Sequence, residues 1–268
     1  MQTHLVQCVR SAIVFGLAIG GTTACTSDAD QTDGELGHAG FSYIGEGCQV
    51  IGCPTSRAIM LGSTELISVV AKSGSVPVVT AQVSDASILS ATVSGRECCT
   101  STKDGGTCRY GDPMLECASD EVASETVSVS AIAAGTAQLQ LIVADGSTFD
   151  SLELSVAAPD QLTVSCREEN QPDVTSMAAG TSCMMRWNAV DGRGKQLQAS
   201  TGVTVSVEPL SVAGLEPSLA APLVAMTAGD QGSLLGTSLD AVASGTATVT
   251  ATATDAPSVS GTMSITVP

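Results

Sequence analysis

The sequence predicts an all-β chain built from two tandem β-sandwiches. Three observations carry this. First, apolar residues recur at every second position over runs of strand length. Between Thr246 and Thr254, Ala247, Val249, Ala251 and Ala253 share one face and the threonines the other, as in a half-buried strand. Second, the construction occurs twice. Gly135-Thr136-Ala137 returns as Gly245-Thr246-Ala247, an offset of 110, and Leu152-x-Leu154-x-Val156 returns as Met263-x-Ile265-x-Val267, an offset of 111. A unit of about 110 residues is the size of one sandwich and too long for a solenoid repeat. Third, 43% of the 268 residues are hydrophobic but only 2% aromatic. The cores must therefore be made of Ala, Val, Leu and Ile, and the Ser, Thr and Val content is that of strands.

Residues 1–24 read as a signal peptide. Arg10 precedes an apolar run from Ala12 to Gly20, followed by small residues up to Cys25. The run is well short of the ~18 residues needed to span a bilayer and fits an export signal with a small-residue cleavage site. Thr22-Thr23-Ala24-Cys25 resembles the bacterial lipoprotein box, with Thr22 in place of the usual Leu. The resemblance implies lipidation of Cys25 and, with Thr26 rather than Asp next, placement at the outer membrane or cell surface. Ordinary cleavage after Ala24, giving a periplasmic or secreted protein, is the alternative. Cysteine parity favours the lipid. With Cys8 removed and Cys25 modified, eight of ten cysteines remain and all can pair. Residues 25–40 (CTSDADQTDGELGHAG) contain few apolar groups and read as a disordered tether.

The first domain is expected over 41–158. Strand-like runs end in a hairpin, with Leu139, Leu141 and Val143 before an Asp145-Gly146 turn and Leu152, Leu154 and Val156 after it. A cysteine-rich insertion, about 97–121, interrupts the domain. Pro159 marks the boundary, and the second domain fills 159–268. The Gly-Thr-led strands Gly62-Ser63-Thr64 and Gly180-Thr181-Ser182, with the closing Gly-Thr-Ala hairpin of each half, resemble the group 2 bacterial immunoglobulin-like domains. The loop Asp191-Gly192-Arg193-Gly194-Lys195 matches that family's glycine-bearing loop in the second copy. The first copy lacks that loop, and the stretch from Glu208 to Asp240 departs from the pattern. The resemblance implies immunoglobulin-like sandwiches and says little about activity.

Eight cysteines in an exported chain imply disulfides. Cys166 shares a face with Leu162 and Val164. Cys183 shares one with Met185, Trp187 and Ala189. As the only cysteines of the second domain, they are expected to pair. Such a bridge contributes about 3 kcal/mol. Cys48, Cys53, Cys98, Cys99, Cys108 and Cys117 lie in the first domain, where six cysteines allow 15 pairings. The insertion is either anchored to the Cys48–Cys53 region or closes on itself. Zinc is disfavoured, because the spacing lacks two close pairs and no histidine is near.

Charge and composition exclude several functions. With 10 Lys+Arg against 27 Asp+Glu the net charge is −17. A polyanion is a poor partner for nucleic acid or anionic lipid. After export His38 is the only histidine, placed in the tether, so a His-based triad is excluded. Lys72, Lys103 and Lys195 sit in turn-like contexts without a Ser–Lys motif. No cofactor or metal is implied. Asp160 at the domain junction, with Asp85, Asp145 or Asp191 from loops, has the chemistry of a calcium site, but the commoner use of such aspartates is to cap turns. Arg109 and Tyr110, in the insertion, are the candidate binding residues, an aromatic beside an arginine on a stapled loop. The sequence thus points to a non-catalytic envelope protein held to the membrane by a lipid. Its partner would be a surface protein or glycan. The competing readings are a specific binding module built on the insertion and an accessory subunit of a secreted enzyme.

Overall fold

The computed structural model describes residues 31–45, 48–97, 99–100, 107–108, 121–122, 124–167, 173–215 and 238–268. Every regular element among them is a strand. The first sandwich comprises β1 (Thr32–Asp33), β2 (Ala39–Gly45), β3 (Cys48–Pro54), β4 (Ile59–Met60), β5 (Thr64–Ala71), β6 (Val76–Pro77), β7 (Val79–Val83), β8 (Leu89–Glu97), β9 (Cys99–Thr100), β10 (Thr107–Cys108), β11 (Glu121–Val122), β12 (Ser124–Ala131), β13 (Gly135–Val143) and β14 (Thr148–Ala157). One sheet runs β1-β2-β5-β12-β8, with β3 also on β2, and the other runs β4-β14-β13-β7. If β2, β5, β7, β8, β12, β13 and β14 are strands A, B, C, D, E, F and G, these sheets are A-B-E-D and C-F-G. That is the immunoglobulin arrangement.

The second sandwich repeats it. Its strands are β15 (Gln161–Arg167), β16 (Ser182–Val190), β17 (Val203–Glu208), β18 (Ala213–Leu215), β19 (Ser238–Ala241), β20 (Gly245–Ala253) and β21 (Ala256–Val267). The sheets run β15-β16-β19-β18 and β17-β20-β21. The repeat extends to loops. Gly62 N–H donates to the Ala131 carbonyl at 3.1 Å and Gly180 N–H to that of Ala241 at 2.8 Å. Gly135 (φ 155°) and Gly245 (φ 148°) open strand F, and a Cβ there would lie 2.8 Å from Ile88 Cδ1 and 2.7 Å from Val212 Cγ2. Glycine suits both positions, because the backbone has a positive φ and the connection between strands C and D packs directly on it.

Alternation fills the cores. Phe41, Ile67, Val127, Val129, Leu139, Leu141 and Leu154 are buried in the first. Met185, Leu239, Ala247, Val249, Ala251 and Ile265 are buried in the second. Cys166 and Cys183 are joined by a disulfide with α-carbons 5.7 Å apart. Trp187 packs partly buried against this core and donates its indole N–H to the Ala199 carbonyl at 2.8 Å.

The disordered tether expected over 25–40 needs correction where it is described. Residues 32–33 pair with Gly40 and Phe41, and Asp150 holds the turn that follows. Its fully buried carboxylate accepts backbone N–H groups from Leu36 (2.9 Å), His38 (2.8 Å) and Ala39 (2.7 Å). Three amides on one carboxylate order a segment whose own composition cannot. His38 accordingly lies in an ordered turn, its ring stacked on Phe149 at 5.8 Å.

Candidate functional site

The most elaborated polar site is the junction between the sandwiches. Only Ala158, Pro159 and Asp160 separate β14 from β15, so the facing ends are forced into contact. The second sandwich reaches back with residues 198–202. Gln198 forms a parallel bridge with Ile59, which is itself paired with Val156 of β14. Met60 N–H donates to the Gln198 carbonyl and Gln198 N–H to that of Ala58, each at 2.8 Å. A backbone ladder therefore crosses from one domain to the next. Met60 is fully buried among core residues of the second sandwich.

Glu65 is the centre of this contact. It is the second residue of β5 and fully buried. Its carboxylate accepts the Ser200 N–H and the Ser200 hydroxyl, both at 2.6 Å, and the Gln198 amide at 3.3 Å. The Ser63 hydroxyl also donates to it. Thr201 completes the set. Its Oγ1 accepts the Thr64 N–H at 2.6 Å, and its own N–H reaches Ser63 Oγ at 3.3 Å. Gly202 has φ 76°, and a Cβ there would stand 2.9 Å from the Gly62 carbonyl oxygen. The loop fits only without a side chain at that position.

The electrostatics follow from burial. Desolvation pushes the Glu65 carboxyl above its ordinary range, against the lowering pull of the hydrogen bonds from Ser200, Ser63 and Gln198. Burial, aided by the Glu65 charge, also pushes the Tyr43 phenol up. Tyr43 donates to the Arg57 carbonyl at 3.0 Å beneath the junction.

A second polar site lies at the root of the insertion. Arg96 and Glu125 are directly opposed in the β8–β12 ladder. Glu125 is fully buried and accepts Arg96 Nε at 2.8 Å. Arg96 also donates to the Val79 carbonyl of β7 at 3.3 Å, tying the two sheets together. Desolvation raises the Glu125 carboxyl from 4.5 to about 7, although the Arg96 charge opposes this. The insertion is thus the β8–β12 connection, held by a half-exposed guanidinium on a buried acid. Its end strand β11 pairs with β6, and β9 pairs with β10.

The sequence-derived candidates are placed as follows. Cys48 and Cys53 lie on β3, Cys99 on β9 and Cys108 on β10. Cys25, Cys98, Cys117, Arg109, Tyr110 and Lys103 lie outside the described residues. Lys72 forms an ion pair with Asp33. Asp85, Asp145 and Asp191 cap turns. Asp85 accepts Ser87, Asp145 accepts Ser147, and Asp191 accepts the N–H groups of Arg193 and Lys195 at 2.9 and 2.8 Å. These bonds hold their carboxyls below the ordinary range.

Three acids escaped notice in the sequence: Glu65, Glu125 and Asp150. Each sits in phase with a buried apolar row, Glu65 with Ile67 and Val69, Glu125 with Val127 and Val129, Asp150 with Leu152 and Leu154. An acid at an inward position is the signal that would have found them. Each fastens something added to the bare sandwich: the second domain, the insertion and the N-terminal arm.

No family model matches the chain, and no curated protein matches it. Solved structures give distant likenesses. A C-terminal fragment of intimin, in complex with the intimin-binding domain of its translocated receptor, is 12% identical. The match covers 80% of this chain and 62% of that one, with a TM-score of 0.27. Invasin, a bacterial integrin-binding protein, is 12% identical over 85% of this chain and 40% of its own, with a TM-score of 0.27. The Yersinia pseudotuberculosis adhesin InvE is 15% identical over 92% and 61%, with a TM-score of 0.29. The match spans less than two thirds of the length of each. The immunoglobulin-like assignment rests on this chain's own strand order and registers.

Proposed function

We propose that the chain is a non-catalytic envelope lipoprotein that displays two immunoglobulin-like sandwiches as a stiff spacer or adhesive module. A lipid on Cys25 would anchor it at the outer membrane or cell surface, and its partner would be a surface protein or glycan. The junction carries this reading. A spacer has to keep a direction, and the backbone ladder, the Met60 side chain and the buried Glu65 network that join the two domains support this reading. The contacts of the candidate reactive side chains support it too. Lys72 is engaged by Asp33, His38 stacks on Phe149, and the loop aspartates cap turns.

The second reading is a binding module that uses the insertion with Arg109 and Tyr110. The Arg96–Glu125 pair at its root favours it, because a recognition loop needs a rigid base. Fractionation of cells carrying wild type and Cys25→Ser tests the anchor. Wild type is expected with membranes and the variant in the soluble fraction, and membrane retention of the variant sinks the lipid. Deleting 98–121 separates the two readings. A spacer keeps its partner after the deletion, whereas a recognition loop loses it with the fold intact.

A further inference from the structure

We infer that the junction is a proton-controlled joint, in which Glu65 takes up one proton as the two sandwiches dock and releases it as they part. The inference deepens the spacer reading above and rests on it, because the property under control is the stiffness of the pair. Glu65 is fully buried, and its carboxylate takes hydrogen bonds from both sandwiches, from Ser63 on one side and from Gln198 and Ser200 on the other. Docking therefore strips it of water that parting restores. Among the described residues no lysine or arginine forms an ion pair with it. The titratable groups around it are Tyr43 on β2 and Asp255 in the β20–β21 turn, beside Gly62. Neither supplies a positive charge. From β12 it faces Val129, and residues 198–202 carry no charged side chain. A desolvated carboxylate without a cation holds a proton more tightly.

The network also has a place for that proton. Ser63 Oγ lies 3.5 Å from Thr201 Oγ1, and the Thr201 hydroxyl donates to the Thr64 carbonyl at 3.3 Å. In the charged state the Ser63 hydroxyl donates to Glu65. In the neutral state the Glu65 O–H donates to Ser63 Oγ, and the Ser63 hydroxyl turns to Thr201 Oγ1. The chain of hydroxyls ends on a carbonyl, which only accepts. In both states Thr64 N–H keeps Thr201 Oγ1 as its acceptor at 2.6 Å, and Thr201 N–H keeps Ser63 Oγ at 3.3 Å. One hydroxyl rotates, and no contact across the junction is lost.

The direction of control follows. Burial raises the Glu65 carboxyl against the pull of its hydrogen bonds, and in a parted junction it returns to its ordinary range. Docking is therefore at full strength below the ordinary carboxyl range. It weakens by about tenfold per pH unit from there up to the docked value. The pair is stiffer in acid and looser in alkali.

The full chain, carrying 15N and glutamate 13Cδ labels, is titrated from pH 4 to pH 9. The Glu65 carboxyl signal, assigned by its loss in Glu65→Gln, is expected to titrate above the ordinary range. The N–H groups of Met60 and Gln198 are hydrogen-bonded across the junction. Their exchange protection, relative to Leu139 and Val249 inside the two cores, is expected to fall as pH rises in wild type. In Glu65→Gln it should stay level. Glu125 remains in that variant, so a fall that persists belongs to another group and overturns the proposal. Ser63→Ala keeps the acid and removes the acceptor of its proton, so the Glu65 midpoint is expected to drop. A higher midpoint in Ser63→Ala, or a wild-type midpoint at or below the ordinary range, overturns the proposal. Relaxation rates on the same samples separate it from the spacer reading. One tumbling body with level protection at every pH sinks the joint and leaves the spacer, whereas two independent bodies even at pH 4 sink both.

Discussion

The carboxylate of Glu65, in the first sandwich, is hydrogen-bonded by both the backbone N–H and the hydroxyl of Ser200, in the second, at 2.6 Å each. The two residues are 135 positions apart in the chain. Removing the acid leaves several buried donors without an acceptor, and such groups are costly. Glu65→Ala is expected to weaken the junction by about 1–3 kcal/mol. Calorimetry should show two separate transitions in the variant where wild type shows one.

Gly202→Ala tests the same junction without touching a charge. The residue needs φ 76° and has the Gly62 carbonyl at 2.9 Å from its ideal Cβ position. The backbone strain alone is worth about 1–3 kcal/mol. Denaturant titration should show lower stability, with the Cys166–Cys183 bridge still formed.

Glu125 makes stability depend on pH. Its carboxyl rises from 4.5 in the unfolded chain to about 7 in the fold, so the folded state binds its proton more tightly. The stabilisation is full below pH 4.5 and is lost as pH rises to about 7. Glu125→Gln should flatten this part of the profile. Urea midpoints at pH 5 and pH 8 would check it, and an unchanged slope in the variant would show that another group is responsible.

Asp150→Ala removes the acceptor that gathers the N–H groups of Leu36, His38 and Ala39. Amide exchange at these positions is expected to speed up by at least tenfold, the equivalent of about 1.4 kcal/mol. Exchange in β20 and β21 should stay unchanged.

How much of this was legible in the sequence differs from element to element. The strands were legible because period two is local: Ala247, Val249, Ala251 and Ala253 are all buried. The hairpin repeat was legible because Gly135 and Gly245 meet the same steric demand. The ordered arm around His38 was not, because its acceptor, Asp150, is more than 110 residues away. The junction was not legible for the same reason. Its ligands in 198–202 are ordinary polar residues until the Ala158–Asp160 connection brings them against Glu65. The inward phase of Glu65, Glu125 and Asp150 was present in the sequence, but a period-two reading that counts only apolar residues passes over it.

The rigidity of the pair is tested most directly by amide residual dipolar couplings and relaxation rates measured on the full chain in solution. One alignment tensor and one rotational correlation time should fit β5, β12 and β13 of the first sandwich together with β16, β20 and β21 of the second. Two sandwiches with different tensors, tumbling independently about the Ala158–Asp160 connection, would contradict a stiff spacer.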